Sequence, residues 1–195
     1  MSILLEKLPE YVQIDGTEVK INTDFRFSIR FEQLINDNTL EDEEIFKRAL
    51  EIYYPRIPQN INQAIDKMLW FYRCGKEVSK KKKTASKEEI YNFDYDDEKI
   101  FDAFLDQYNK NLNKENIHWW EFKAMFNGLK EDNEIVKIMG YRATDLNKIT
   151  DKNVKDYYTK MKKAYAIPHK KEEVEHNKNL ASLLKRGGDL SELQE

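Results

Sequence analysis

A run of bulky aromatic residues at helical spacing constrains this chain more than any other feature. Between Ile117 and Arg142 the sequence reads IHWWEFKAMFNGLKEDNEIVKIMGYR and holds two of the three tryptophans. Trp119, Phe122, Phe126 and Leu129 stand at i, i+3, i+7 and i+10, so a helix opening near His118 aligns them in one stripe. Aromatic side chains bury large apolar areas, and a stripe of them anchors either a domain core or an interface. Core is the expected destination for the stripe. Trp120 falls about 100° around the helix from Trp119, so it is expected to pack on a second element or to meet a partner.

Punctuation is sparse elsewhere. Six Gly and four Pro in 195 residues favour helices over a many-turned sandwich or barrel, and 35% charged residues predict many solvated helix faces. With 33 basic and 36 acidic residues the net charge is −3, so no global field draws the chain to nucleic acid or anionic membrane. The single cysteine, Cys74, excludes an internal disulfide framework and fits a reducing compartment. It is read as lying within an apolar helical run and inert. No apolar run of transmembrane length is present, and Glu6, Lys7 and Glu10 interrupt any leader-like start, so the expected location is the cytoplasm.

The expected fold class is mainly α, a helical bundle with a short N-terminal β-hairpin. Tyr11 to Ile21 alternates in period two around Asp15-Gly16, a strong hairpin signal because a type I′ turn needs positive φ at both central residues. A lone hairpin is marginal, and the following segment is the expected support. There Thr23 or Asn22 is expected to cap a helix with Phe27, Phe31 and Leu34 on one face. Thr39 and Asp42 resemble a capping box before Ile45, Ala49 and Ile52, and Pro55 ends that element. Asn60 then opens a helix with Ile61, Ile65, Met68, Leu69 and Tyr72 on a broad face, Trp70 and Phe71 on a second side, and a close near Gly75.

Residues 76–88 carry the run Lys80 to Lys83 with no apolar face and read as a basic, flexible linker. Beyond it, Asp94, Asp96 and Asp97 lead into a helix bearing Ile100, Phe101, Phe104, Leu105 and Tyr108, acids that suit the positive end of its dipole. The Trp helix is expected to return against Phe101, Phe104 and Tyr108 as a helical hairpin. Ile135, Ile138 and Met139 add a turn or two that Gly140 should stop, and Val154, Tyr157, Tyr158, Met161 and Tyr165 mark a last helix before Pro168. The expected division is therefore 1–75, a linker at 76–88, a C-terminal helical unit at 89–167 that includes the Trp helix, and a charged, mobile tail at 168–195.

No GxxxxGK[ST] or GxGxxG motif, CxxC pair or GxSxG elbow occurs, and His118, His169 and His176 are scattered. Counted from Asp94, a calcium loop would need Gly and Glu where Lys99 and Leu105 stand. The expectation is a non-enzyme with no catalytic residue, cofactor or metal.

The segments LPEYVQIDGTEVKINTDFR, FDYDDEKIFDAFLDQY, IHWWEFKAMFNGL and KIMGYR, spread over Leu8 to Arg142, resemble a family of tail-assembly proteins of long-tailed siphophages. Members are usually encoded between the major tail protein and the tape measure protein. The resemblance implies a tail-assembly chaperone or accessory protein, working in the host cytoplasm of an infected or lysogenic bacterium. It implies the tape measure protein as partner, with a second assembly chaperone and self-association both compatible, and no membrane. Trp120, Trp119, Phe122, Phe126, Tyr141 and Arg142 are the residues nominated for partner contact. The alternative is a small helical nucleic-acid-associated protein that uses Lys76 to Lys87, and it is disfavoured because that run lacks interleaved aromatic residues or Arg.

Overall fold

The computed structural model describes residues 3–37, 39–76 and 89–168. The 77–88 part of the expected linker and the tail from 169 onward lie outside the described residues. The chain is mainly α with one N-terminal hairpin. In order come β1 (Tyr11–Ile14), β2 (Thr17–Lys20), α1 (Phe25–Ile35), α2 (Asp42–Tyr53), α3 (Ile61–Tyr72), α4 (Asp97–Tyr108), α5 (Trp119–Asn127), α6 (Glu134–Ala143), a 3-10 turn (Leu146–Lys148) and α7 (Lys152–Ala164). They divide between two compact units. Residues 3–76 and 116–123 belong to the first unit, and 89–115 and 124–168 to the second. This differs from the expected division, which kept the whole Trp helix with the C-terminal half.

In the first unit the hairpin pairs Val12 with Val19 and Ile14 with Thr17, and Asp15 and Gly16 take φ of 49° and 73°, the left-handed pair that a type I′ turn requires. Val12 and Ile14 point inward and are buried. The support is α3 and not the next segment: β1 packs on α3, and the turn is held by Asn60 and Gln63, whose side-chain amides donate to Asp15 Oδ1 at 2.8 and 2.9 Å. Asn60 caps α3 as expected, accepting from the amide of Gln63.

The cap of α1 is Asp24, whose carboxylate accepts from the Arg26 amide at 3.0 Å. Asn22 has another task. Its backbone and side-chain N–H groups donate to Tyr53 O and Ile52 O, carbonyls at the C-terminal end of α2. Of the expected face Phe31 and Leu34 are buried and Phe27 is only half-buried, and Phe25, Ser28 and Ile35 join the buried side of α1. Thr39 also departs from expectation, since its hydroxyl donates back to Asp37 and Glu41 precedes α2 without a side-chain cap bond.

Tyrosines tie α1, α2 and α3 together. Tyr53 Oη donates to Ser28 Oγ at 2.9 Å, Tyr54 Oη donates to Ala64 O at 2.8 Å, and Tyr72 Oη donates to Glu32. Burial pushes the Tyr53 and Tyr54 phenols well above their ordinary range, so both stay neutral donors.

The second unit is built on α6, which packs against α4 and α7. Gly140 does not stop α6, which continues to Ala143. The Trp helix meets α4 through the Tyr108 hydroxyl, which donates to Met125 O at 2.8 Å. Gln107 of α4 stitches the loop after α5, donating to Gly128 O at 3.0 Å and accepting from Lys130 N at 2.8 Å and Asn133 Nδ2 at 2.9 Å. Leu105, expected on the core face of α4, is exposed, while Ile100, Ala103 and Phe104 are buried.

Candidate functional site

The paired tryptophans close a helix end. An α-helix leaves its last four carbonyls without intrahelical donors. The indole Nε1–H of Trp119 donates to Tyr72 O at 2.8 Å and that of Trp120 to Phe71 O at 2.7 Å, so adjacent side chains of α5 cap adjacent carbonyls of α3. The chain past α3 turns back in a Schellman arrangement, with Cys74 N–H on Phe71 O at 2.9 Å and Gly75 N–H on Trp70 O at 3.0 Å. Cys74 and Gly75 take φ of 56° and 72° there. Cys74 therefore lies past α3, not within it, and burial raises its thiol pKa, which keeps it protonated.

Trp120 rests on Gly75 so closely that a Cβ at that position would come within 2.8 Å of Cη2. Trp119 stacks on Tyr72 at 5.7 Å, and Trp120 lies edge-on to Trp70 at 5.4 Å. Their exposures are 0% and 3%. Of the two outcomes open to Trp120, packing on a second element is the one observed.

His118 sets the start of α5. Its Nδ1 accepts from the Trp120 amide at 3.0 Å and its Nε2 meets Pro9 O at 3.1 Å, a pattern that one neutral tautomer with the proton on Nε2 satisfies. Burial lowers its pKa below the usual 6.5, against a smaller upward pull from the bond to Pro9. The segment is also laced to the start of α1, since Trp119 N–H donates to Thr23 O at 2.7 Å and Phe25 N–H donates to Ile117 O at 2.9 Å.

The other nominated residues are mostly internal. Phe122 is fully buried and stacks on Phe25 with centroids 4.6 Å apart. Phe126, in the second unit, is buried against Tyr91 and Phe93. Arg142 forms a bidentate pair with Asp96 at 2.6 and 2.9 Å, and adds bonds to Tyr165 O and Ile90 O. Asp96, the N-cap residue of α4, is thus also the buried half of an ion pair. Five of the six nominated residues are buried in the described chain, as expected for Trp119, Phe122 and Phe126 of the aromatic stripe.

Tyr141 alone stays half-buried, and it leads to the surface. Its ring contacts Tyr157, Tyr158 and Tyr165 at 6.2, 6.2 and 5.8 Å, and its hydroxyl shares a 3.3 Å hydrogen bond with Tyr157 that raises the Tyr157 pKa. No residue of α7 is buried, and Val154 and Tyr157 are 44% and 48% exposed. A second exposed apolar group stands in the first unit, where consecutive Ile3, Leu4 and Leu5 are 57%, 93% and 87% exposed.

Among the described residues no His, Cys, Asp and Glu side chains gather into a metal-ligating group, and no helix is long and apolar enough to cross a membrane. One concave surface in the first unit is an open groove bordered by Phe27, Arg30, Leu34, Arg48, Glu51 and Ile52, with both charge signs on its walls.

A family model described as Bacteriophage Gp15 protein matches residues 4–167. No curated protein and no solved structure matches the chain.

Proposed function

Because the chain belongs to the bacteriophage Gp15 protein family, we propose that it is a tail-assembly chaperone that binds the tape measure protein in the host cytoplasm during tail morphogenesis. The observation that carries this reading is the run Ile3, Leu4 and Leu5. Three consecutive large apolar side chains in water are unfavourable unless something covers them. A long helical partner with apolar faces has the complementary problem, since such faces aggregate until they are enclosed. Mutual cover solves both. His118 fixes the place of this leader by holding Pro9 O, and Tyr11, exposed at the start of β1, extends the apolar surface. The contact thus moves from Trp120 to the leader, and the tryptophans serve by fixing the unit that carries it.

The test is co-expression with the tape measure protein of the same phage, followed by co-purification at low and at high salt. Apolar association survives moderate salt, and Leu4→Ser with Leu5→Ser should abolish recovery while leaving the fold intact. Loss of the wild-type complex at high salt, or nucleic acid recovered in its place, refutes the chaperone reading. Retention by the double variant refutes the assignment to the leader.

A further inference from the structure

The hairpin of the first unit has an unpaired edge along β2. Ile21 N–H donates to Glu10 O at 3.0 Å, and the bonded pairs of an antiparallel ladder recur every second residue, so they are Glu10 with Ile21, Val12 with Val19 and Ile14 with Thr17. Glu18 and Lys20 fall between them. Their backbone N–H and C=O groups therefore point away from β1, and among the described residues nothing bonds to them. Burial also runs out toward this edge. On the core face of the sheet Val12 and Ile14 of β1 are buried, while Val19 is only half-buried and Thr17 is exposed. Glu18 and Lys20 share the solvent face with Gln13 and Tyr11, their cross-strand partners. Gln13 Nε2 meets the Glu18 carboxylate at 3.4 Å, and Lys20 has no ion-pair partner among the described residues.

We propose that β2 of one molecule pairs antiparallel with β2 of a second copy, in the register that sets each Glu18 opposite a Lys20 and Val19 opposite Val19. Three registers put the outward groups of Glu18 and Lys20 into bonded pairs. One sets Glu18 against Glu18 and another sets Lys20 against Lys20, and like charges directly opposite are destabilising. The third forms two Glu18 to Lys20 pairs by symmetry, makes four backbone hydrogen bonds and covers Val19 on the core face. Charges on an edge strand ordinarily discourage pairing, and here they select one register. Beyond Lys20 the edge is closed, because Asn22 N–H donates to Tyr53 O at 2.8 Å. The residue that faces Asn22 in this register is Gly16 of the second copy, which has no side chain and open space around it, and there that chain turns away to Asp15. The contact is isologous, so assembly stops at a dimer with a four-stranded sheet. Strands of four residues make a small interface, so the dimer is weak and concentration-dependent. It leaves the leader uncovered, so this reading and the chaperone reading can fail separately.

Two measurements on the full chain test it. Sedimentation equilibrium from about 10 µM to about 1 mM should show the wild type passing from monomer to dimer and no further. Glu18→Lys alone sets Lys against Lys and Lys20→Glu alone sets Glu against Glu, so each should dimerise at least about 10-fold more weakly. Mixed in equal amounts, the two variants restore opposite charge at both contacts, and the dimer should return. The second measurement needs no substitution. Amide hydrogen exchange of the wild type should slow at Glu18 and Lys20 as concentration rises, and stay unchanged at Tyr11 and Gln13, whose outward N–H groups lie on the other edge of the hairpin. This arm decides the matter if a charge variant loses its fold, read as a lowered melting temperature. A wild type that remains monomeric at about 1 mM overturns the proposal, as does a larger assembly or a dimer whose Glu18 and Lys20 amides exchange as in the monomer. Protection at Tyr11 and Gln13 in their place moves the contact to β1 and also overturns it, as do folded charge variants that dimerise like the wild type or a mixture of them that stays monomeric.

Discussion

Replacing Arg142 by Met should unfold the second unit under conditions that leave the wild type intact. The guanidinium donates four hydrogen bonds, to Asp96 Oδ1 and Oδ2, to Ile90 O and to Tyr165 O. The side chains of the pair are only 5% and 3% exposed. Without Arg142 the Asp96 carboxylate keeps the Asn92 amide at 2.9 Å but loses the cation paired with it. Removing one partner of a buried pair costs about 3–5 kcal/mol, because the remaining charge stays desolvated. In a unit of this size that lowers the melting temperature by more than about 10 °C. All three tryptophans lie in the first unit, so tryptophan emission does not read this loss directly, and far-UV circular dichroism during urea unfolding is the assay. Combining Arg142→Met with Asp96→Leu removes both charges and should recover more than half of the loss, the signature of an interacting pair. A single-variant cost under about 1 kcal/mol, or a double variant as unstable as the sum of the singles, would show that the pair is not desolvated as the structure has it.

Trp119→Ala and Trp120→Ala should each cost about 3–5 kcal/mol, equal losses where the sequence alone favours a cheaper Trp120. Trp120→Phe keeps most of the ring and removes only the donor to Phe71 O, so urea unfolding should place it about 1–3 kcal/mol below wild type. A Trp120→Ala loss well below that of Trp119→Ala would return Trp120 to the surface. Stability should also fall with acid through His118. Its folded pKa is lowered from 6.5, so above that value both states are neutral, and as pH drops toward the lowered value the unfolded chain binds the proton first and folding weakens. The urea midpoint should therefore decline between about pH 7.5 and about pH 5.5, and less so in His118→Gln. An equal decline in both proteins would remove His118 as the cause.

Periodicity carried much of the fold. The Asp15-Gly16 turn, the Asn60 cap and the buried stripe Trp119, Phe122, Phe126 and Leu129 follow from spacing and turn chemistry alone. What spacing could not carry was pairing across distance. Nothing local tells that the hairpin lies on α3, that Asn22 closes α2, or that Asp96 and Arg142, 46 positions apart, share a pocket. Gly140 misled because a glycine is tolerated inside a helix whose other residues pack, and here a Cβ would meet nothing within 4 Å. The candidate contact surface was the least legible part. An aromatic residue at helical spacing gives no sign of whether its N–H finds a carbonyl, and that bond is what put Trp120 inside. A signal for the leader did exist, since Ile3, Leu4 and Leu5 precede a segment too polar at Glu6, Lys7 and Glu10 to fold over them.

The tryptophan caps on α3 have a consequence for synthesis. The carbonyl of Tyr72 waits for an indole made 47 residues later, and that of Phe71, already met by Cys74 N–H, gains a second donor made 49 residues later. At roughly 5–20 residues per second a ribosome takes about 2–10 s over that interval. During it, α3 emerges with its local Schellman turn but with Tyr72 O and its aromatic flank uncovered, and the intervening 89–115 segment is delivered before the first unit can close. The first unit therefore completes late, although it holds the N-terminus, and a nascent chain halted short of Trp120 exposes the apolar surface that the finished protein hides.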